Sequence, residues 1–198
     1  MWSDLVVRTT GLGDLAVVIP GSLLVFVVLW ASGARRAAYG WGLTIGVCAV
    51  TLLAAKFFCL ACYPALLTPS LRSPSGHAGL SAGFYGALAV LALTVRPRWV
   101  ALAVSSLCVA IVAAIAASRI ALGAHSVVEV AAGLAIGVGV VLALRPLRRA
   151  PAPRLRTLAL ALGAVVVAAV VFDGHRVMAE PAIWRFAGWL TGSPICWR

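Results

Sequence analysis

The stretch IVAAIAASRIALGAHSVVEVAAGLAIGVGVV, residues 111–141, is two apolar runs divided by an island that carries Arg119, His125 and Glu129. With its neighbours, each run reaches the roughly 17–25 residues needed to cross a hydrocarbon core about 30 Å thick. The island therefore reads as a turn at one membrane face, joining two membrane helices. Ionisable groups in such a setting are costly, and where they persist they tend to serve function.

Working outward, the same reading extends to the whole chain. Of its 198 residues 63% are hydrophobic and 11% charged, with a mean hydropathy of +1.08. A soluble domain carries roughly 25% charged residues, so the composition excludes one. Six apolar runs stand out: Leu15–Trp30, Ala38–Ala55, Gly79–Val95, Trp99–Ala117, Ser126–Leu144 and Leu158–Phe172. The expected architecture is all-α, a polytopic membrane protein with six transmembrane helices forming a single domain over residues 1–198. Its chemistry lies between residues 56 and 129, and a tail at 173–198 follows. Within that tail Ile183, Trp184, Phe186, Ala187 and Leu190 suit an interfacial helix. The N-terminus is acidic rather than basic and shows no cleavage-type boundary, so the first helix is expected to be retained.

The formal net charge is +11. Without a basic helix interleaved with aromatics, nucleic acid is not an expected partner. Loop arginines instead set topology and touch anionic headgroups. The connections after spans one, three and five hold nine arginines and no acid, whereas the other side holds seven basic residues and all five acids. This places the arginine-rich side in the cytoplasm and the polar island on the outer face of an inner (cytoplasmic) membrane, toward the periplasm. Trp30, Trp41 and Trp99 lie at span ends, where indole rings anchor to headgroups.

A second polar cluster, KFFCLACYPALLTPSLRSPSGHAG, covers residues 56–79. Spans three and four separate it from the island and are joined by the short turn Arg96-Pro97-Arg98. Two antiparallel helices that rise 1.5 Å per residue return the chain to the face it left. His77 and His125, 48 positions apart (125 − 77), are thus expected at one pocket. Ser75 is placed to cap the helix that begins near His77, leaving backbone N–H groups and the positive helix end available to an anion. Lys56 and Arg119 add fixed positive charge. His125 and Glu129 are four apart, on one helical face, so the carboxylate can fix the ring tautomer and leave the other nitrogen free to attack. His77 can then protonate the leaving oxygen. An anion cradle, an oriented nucleophile and a separate acid make a phosphoryl-transfer site.

These residues resemble the type 2 phosphatidic acid phosphatase family, the lipid phosphate phosphatases related to vanadium haloperoxidases. The family pattern is a lysine, six residues and Arg-Pro; then Pro-Ser-Gly-His; then Ser-Arg, five residues, His, three residues and Asp. Here the second piece is intact at Pro74–His77, and the third is Ser118-Arg119 with His125 and with Glu129 in place of aspartate. The first is Lys56 followed by Tyr63-Pro64, so Arg72 is expected to supply the missing guanidinium. The resemblance implies that His125 forms a phosphohistidine, that His77 protonates the departing group, and that Lys56, Arg72, Ser75, Gly76 and Arg119 hold the phosphoryl oxygens. It implies no metal and no other cofactor. The implied partners are the bilayer and a lipid phosphate: phosphatidic acid, phosphatidylglycerophosphate, undecaprenyl diphosphate or a lipid A phosphate. The alternative is a lipid-phosphate binding or translocating protein that has lost hydrolysis, which Tyr63 and Glu129 keep open.

Two further features stay open in the sequence. Cys59-Leu-Ala-Cys62 lacks the βαβ surroundings of a redox motif, so a structural disulfide, with Cys196 as a candidate partner, is the preferred reading. Gly133 and Gly137 have the spacing of close helix contacts, within one chain or between two.

Overall fold

The computed structural model describes residues 2–62, 71–144, 153–177 and 180–191, which form helices joined by turns and loops, with no strand among them. The helices are α1 (Trp2–Gly11), α2 (Leu15–Ala31), α3 (Arg35–Cys62), α4 (Gly76–Ala92), α5 (Arg98–Ala121), α6 (Val127–Leu144), α7 (Leu155–Val171) and α8 (Glu180–Thr191). All six apolar runs are helices. Three are long and apolar enough to cross a membrane: Arg35–Cys59, Arg98–Ala121 and Val127–Leu144. A fourth crossing results if α1 and α2, bent by 40° at residues 12–14, count as one. Helices α4 and α7 are apolar but have 17 residues each, about 26 Å at 1.5 Å per residue. The chain is an all-helical, multi-pass membrane protein.

Helix α4 is the axis of the fold. It packs against α3, α5 and α6, and 12 of its 17 residues are buried. Alanine and glycine dominate it, which lets neighbouring backbones approach closely. Phe84 and Leu88 of α4 meet Val25 and Leu29 of α2, Trp41 of α3 and Ile115 of α5 in one apolar core. The outward faces are equally apolar: Val50, Leu107, Val109, Val166 and Val170 are exposed. In a soluble protein such a surface would be an aggregation liability; against lipid tails it is the expected lining.

Trp41 departs from its expected role. It is 3% exposed, donates its indole N–H to the Ser22 carbonyl at 3.0 Å and packs edge-on against Phe84. The helix begins three residues before the apolar run and carries Trp41 a turn further into the bundle, where the ring fills core space. Trp30 and Trp99 remain exposed at helix ends, and Trp30 stacks with the Arg35 guanidinium at 5.5 Å.

The glycines on α6 pack within the chain. A Cβ on Gly133 would strike the Ser75 carbonyl, and one on Gly137 would strike the Gly79 carbonyl and approach Ala82 Cβ to 2.7 Å. This crossing presses the N-terminal half of α6 onto the N-terminal half of α4, and so fixes the two polar clusters relative to each other. Cys48 and Cys108 are buried free thiols inside the bundle, and Cys59 is buried near the end of α3. The side chain of Cys62, Tyr63-Pro64, Cys196 and most of the basic linker at 145–156 lie outside the described residues.

Candidate active site

The α5–α6 turn brings Arg119 and His125 together. Helix α5 ends at Ala121 with Leu122 as its C-cap, and Gly123 follows with φ +62°, a left-handed conformation that a glycine adopts without strain. The chain doubles back so that the N–H groups of Ala124 and His125 both donate to the Arg119 carbonyl, at 3.1 and 3.3 Å. The five-residue spacing between Ser118-Arg119 and His125 is therefore one helix cap.

Ser126 and Glu129 then start α6 as a capping box. The Glu129 N–H donates to Ser126 Oγ at 3.2 Å, and the Ser126 N–H donates to Glu129 Oε2 at 3.0 Å. The same Oε2 accepts from His125 Nδ1 at 3.0 Å. Oε1 accepts from the N–H groups of Arg72 and Ser73 at 3.0 and 3.1 Å, while the Glu129 carbonyl accepts from Ser75 N–H at 2.9 Å. One side chain thus orients the histidine, caps a helix and ties down the loop leading into Pro74-Ser75-Gly76-His77. With Nδ1–H committed to the carboxylate, Nε2 of His125 keeps its lone pair. Glu129→Asp shortens the arm by one methylene and cannot keep both ends of this network. We expect the variant to lose about 1–2 kcal/mol of stability and roughly tenfold in turnover, measured by thermal unfolding in detergent and by phosphate release. Higher turnover with the shorter acid would contradict this account.

Ser75 is fully buried and caps α4, its Oγ accepting the Ala78 N–H at 3.5 Å. Gly76 and His77, at the start of α4, line a cavity of about 720 Å³ together with Lys56, Arg119 and His125. Lys56 is 8% exposed and donates to Ser73 Oγ at 3.0 Å; Arg119 donates to Thr10 Oγ1 at 3.2 Å. Leu15, Leu52, Leu53 and Leu80 form an apolar wall beside these cations. Five of the eight residues singled out in the sequence therefore face one space, and Glu129 and Ser75 support it from behind. Arg72 does not join them. Its side chain is exposed and is not part of the cavity lining, because its backbone is pinned to Glu129.

Two contributors escaped the sequence reading. Asp14, 4% exposed, places Oδ2 at 3.2 Å from His77 Nε2, while Oδ1 accepts the N–H groups of Ala16 and Val177 at 2.9 and 3.1 Å. The local signal was present, since aspartate just before an apolar run is an N-cap; its second role depends on a contact 63 residues away. The other contributor is the tail. Arg176, Val177, Pro181, Ala182 and Ile183 close one side of the cavity, and Phe186 of α8 packs edge-on against Phe57 of α3. His77 stands two residues before the apolar run that begins at Gly79. Burial, then the Arg119 guanidinium, holds its ring below the usual histidine pKa, with Asp14 pulling the other way.

An oriented imidazole, a second imidazole, the buried Lys56 and the part-buried Arg119 beside an apolar wall can accept a phosphoryl group whose remainder is hydrophobic. No curated protein and no solved structure matches the chain. Residues 56–152, however, match the model of the PAP2 superfamily, whose members are phosphatases, and the match starts at Lys56 and takes in every motif residue gathered at this cavity. Through residues 56–152 the chain belongs to the PAP2 superfamily, the group of the type 2 phosphatidic acid phosphatases.

Proposed function

We propose that this protein is an integral membrane phosphatase that removes a terminal phosphate from a lipid monophosphate or diphosphate through a phosphohistidine intermediate, without a metal. The observation that carries the reading is the His125–Glu129 pair at 3.0 Å beside a cavity that combines Lys56 and Arg119 with a leucine wall. Cations favour a phosphate, and leucines favour an acyl or prenyl chain. Phosphatidic acid, phosphatidylglycerophosphate, undecaprenyl diphosphate and lipid A phosphates all have this form.

In the first step Nε2 of His125 attacks phosphorus while Lys56 and Arg119 balance the equatorial oxygens. Two positive side chains supply the charge neutralisation that a divalent ion provides elsewhere. A phosphate's negative charge beside His77 favours its imidazolium form. His77 then protonates the departing oxygen. Water subsequently attacks the phosphohistidine and regenerates the enzyme.

Six crossings of an inner (cytoplasmic) membrane fit the chain if α4 and α7 span as its two short helices. The nine arginines then lie in the cytoplasm, and the cavity opens at headgroup height on the outer face. The purified protein, incubated with ³²P-labelled phosphatidic acid and other lipid phosphates and quenched in alkali, should release phosphate and carry an acid-labile, alkali-stable label, with or without EDTA. Complete loss of release in EDTA, or turnover with no such label, would overturn the mechanism.

A further inference from the structure

His77 meets a carboxylate that lines the cavity and lies outside the family match. Asp14 precedes α2, 42 residues before the matched segment begins at Lys56 (56 − 14), and is almost fully buried. Its two oxygens divide their work. Oδ1 holds structure, accepting from Ala16 N–H at the start of α2 and from Val177 N–H in the tail. Oδ2 holds only the imidazole of His77 among the contacts seen, at 3.2 Å. With Oδ2 as the acceptor of this contact, the ring presents its N–H at Nε2. The proton that His77 gains and gives away is then the one on Nδ1.

We propose that Asp14 is a positioning residue of the leaving-group step: Oδ2 holds His77 by Nε2–H and aims Nδ1–H at the oxygen that departs. The inference rests on the phosphatase reading above. The site then contains two histidine–carboxylate pairs of opposite tautomer. Glu129 holds His125 by Nδ1–H and frees Nε2 to attack; Asp14 holds His77 by Nε2–H and frees Nδ1 to protonate. As the Nε2–P bond forms at His125, the P–O bond to the lipid breaks with its electron pair on oxygen. That oxygen takes the Nδ1 proton, leaving His77 neutral. The water that later cleaves the P–N bond returns a proton to His77, so the cycle balances.

Asp14→Asn separates this role from the structural one. Asparagine is as good a helix N-cap as aspartate and keeps an oxygen for Ala16 and Val177. Its NH₂ would face the Nε2–H of the imidazolium, favouring the wrong tautomer and opposing the charged form. The variant should unfold within about 2 °C of wild type, a shift smaller than a ~1 kcal/mol loss produces. Its kcat on phosphatidic acid, an alkyl ester whose leaving oxygen needs a proton, should fall roughly 100-fold with KM little changed. On p-nitrophenyl phosphate, whose leaving group departs without a proton, the fall should stay within about threefold. Equal losses on both substrates, or no loss on either, would overturn the inference alone. If the asparagine variant does not fold, Asp14→Ser, another cap that lacks the reach to the ring, is measured the same way. Failure of both variants to fold would assign Asp14 to structure only and overturn the inference. A wild-type protein that hydrolyses neither substrate overturns the phosphatase reading and removes the basis of this one.

Discussion

His125→Ala is expected to lower phosphate release from lipid phosphates by at least about a thousandfold and to abolish the acid-labile label. Removing a nucleophile eliminates the covalent route altogether, so the residual rate reflects only the cavity's electrostatic help to water. The fold should survive, because among the described residues the His125 side chain hydrogen-bonds to one group, a carboxylate that keeps three backbone donors from Arg72, Ser73 and Ser126. Binding should survive as well. Lys56 and Arg119 remain, so the affinity for a lipid phosphate, followed by displacement of a fluorescent analogue, should change by less than about tenfold, or 1.4 kcal/mol. That pairing of lost turnover with retained binding distinguishes an enzyme from a lipid-phosphate carrier. Equal phosphate release by wild type and variant would sink the assignment of His125.

The second large effect is on folding. Gly137→Ala places a methyl group against the Gly79 carbonyl and 3.0 Å from the Gly83 N–H, both backbone groups of the buried helix α4. Neither can rotate away, so α6 must lift off. Overpacking of this kind costs about 1–3 kcal/mol, and here it opposes a gain of about 1 kcal/mol in helix propensity. Gly139→Ala, two residues along the same helix, meets nothing within 4 Å and should be neutral or stabilising. Gly133→Ala presses on the Ser75 carbonyl, directly behind the turn that carries His77. Its turnover is expected to drop on the order of 100-fold, since shifts near 1 Å in a reacting group cost that much. Thermal unfolding in detergent and initial rates of phosphate release test the three variants together. A Gly137→Ala protein as stable as Gly139→Ala would show that α4 and α6 do not cross this closely.

Local chemistry made much of the active site readable. The membrane runs, the short Arg96-Pro97-Arg98 turn and the three motif pieces depend on hydropathy, span length and spacing, each contained in a few tens of consecutive residues. They were enough to bring His77, Arg119 and His125 to one end of a hairpin. The expectation for Arg72 treated the missing guanidinium as a gap in charge. In the structure that loop is fixed by its backbone N–H groups on Glu129, and the Arg72 side chain is left outside. The longer acid in place of aspartate looked like a departure. Its extra methylene instead lets one carboxylate serve His125, Ser126, Arg72 and Ser73.

The sequence alone determined a helical membrane bundle and most of the residues that line the cavity's polar end, because burial patterns and helix caps are short-range properties of the chain. Only the tertiary structure decided what surrounds those groups. Asp14 reaches His77 across 63 positions and Val177 across 163, and Gly133 and Gly137 press against α4 rather than a second subunit. Such contacts depend on which helix faces pack together. No local pattern encodes that choice, since an apolar face suits lipid and a neighbouring helix equally well.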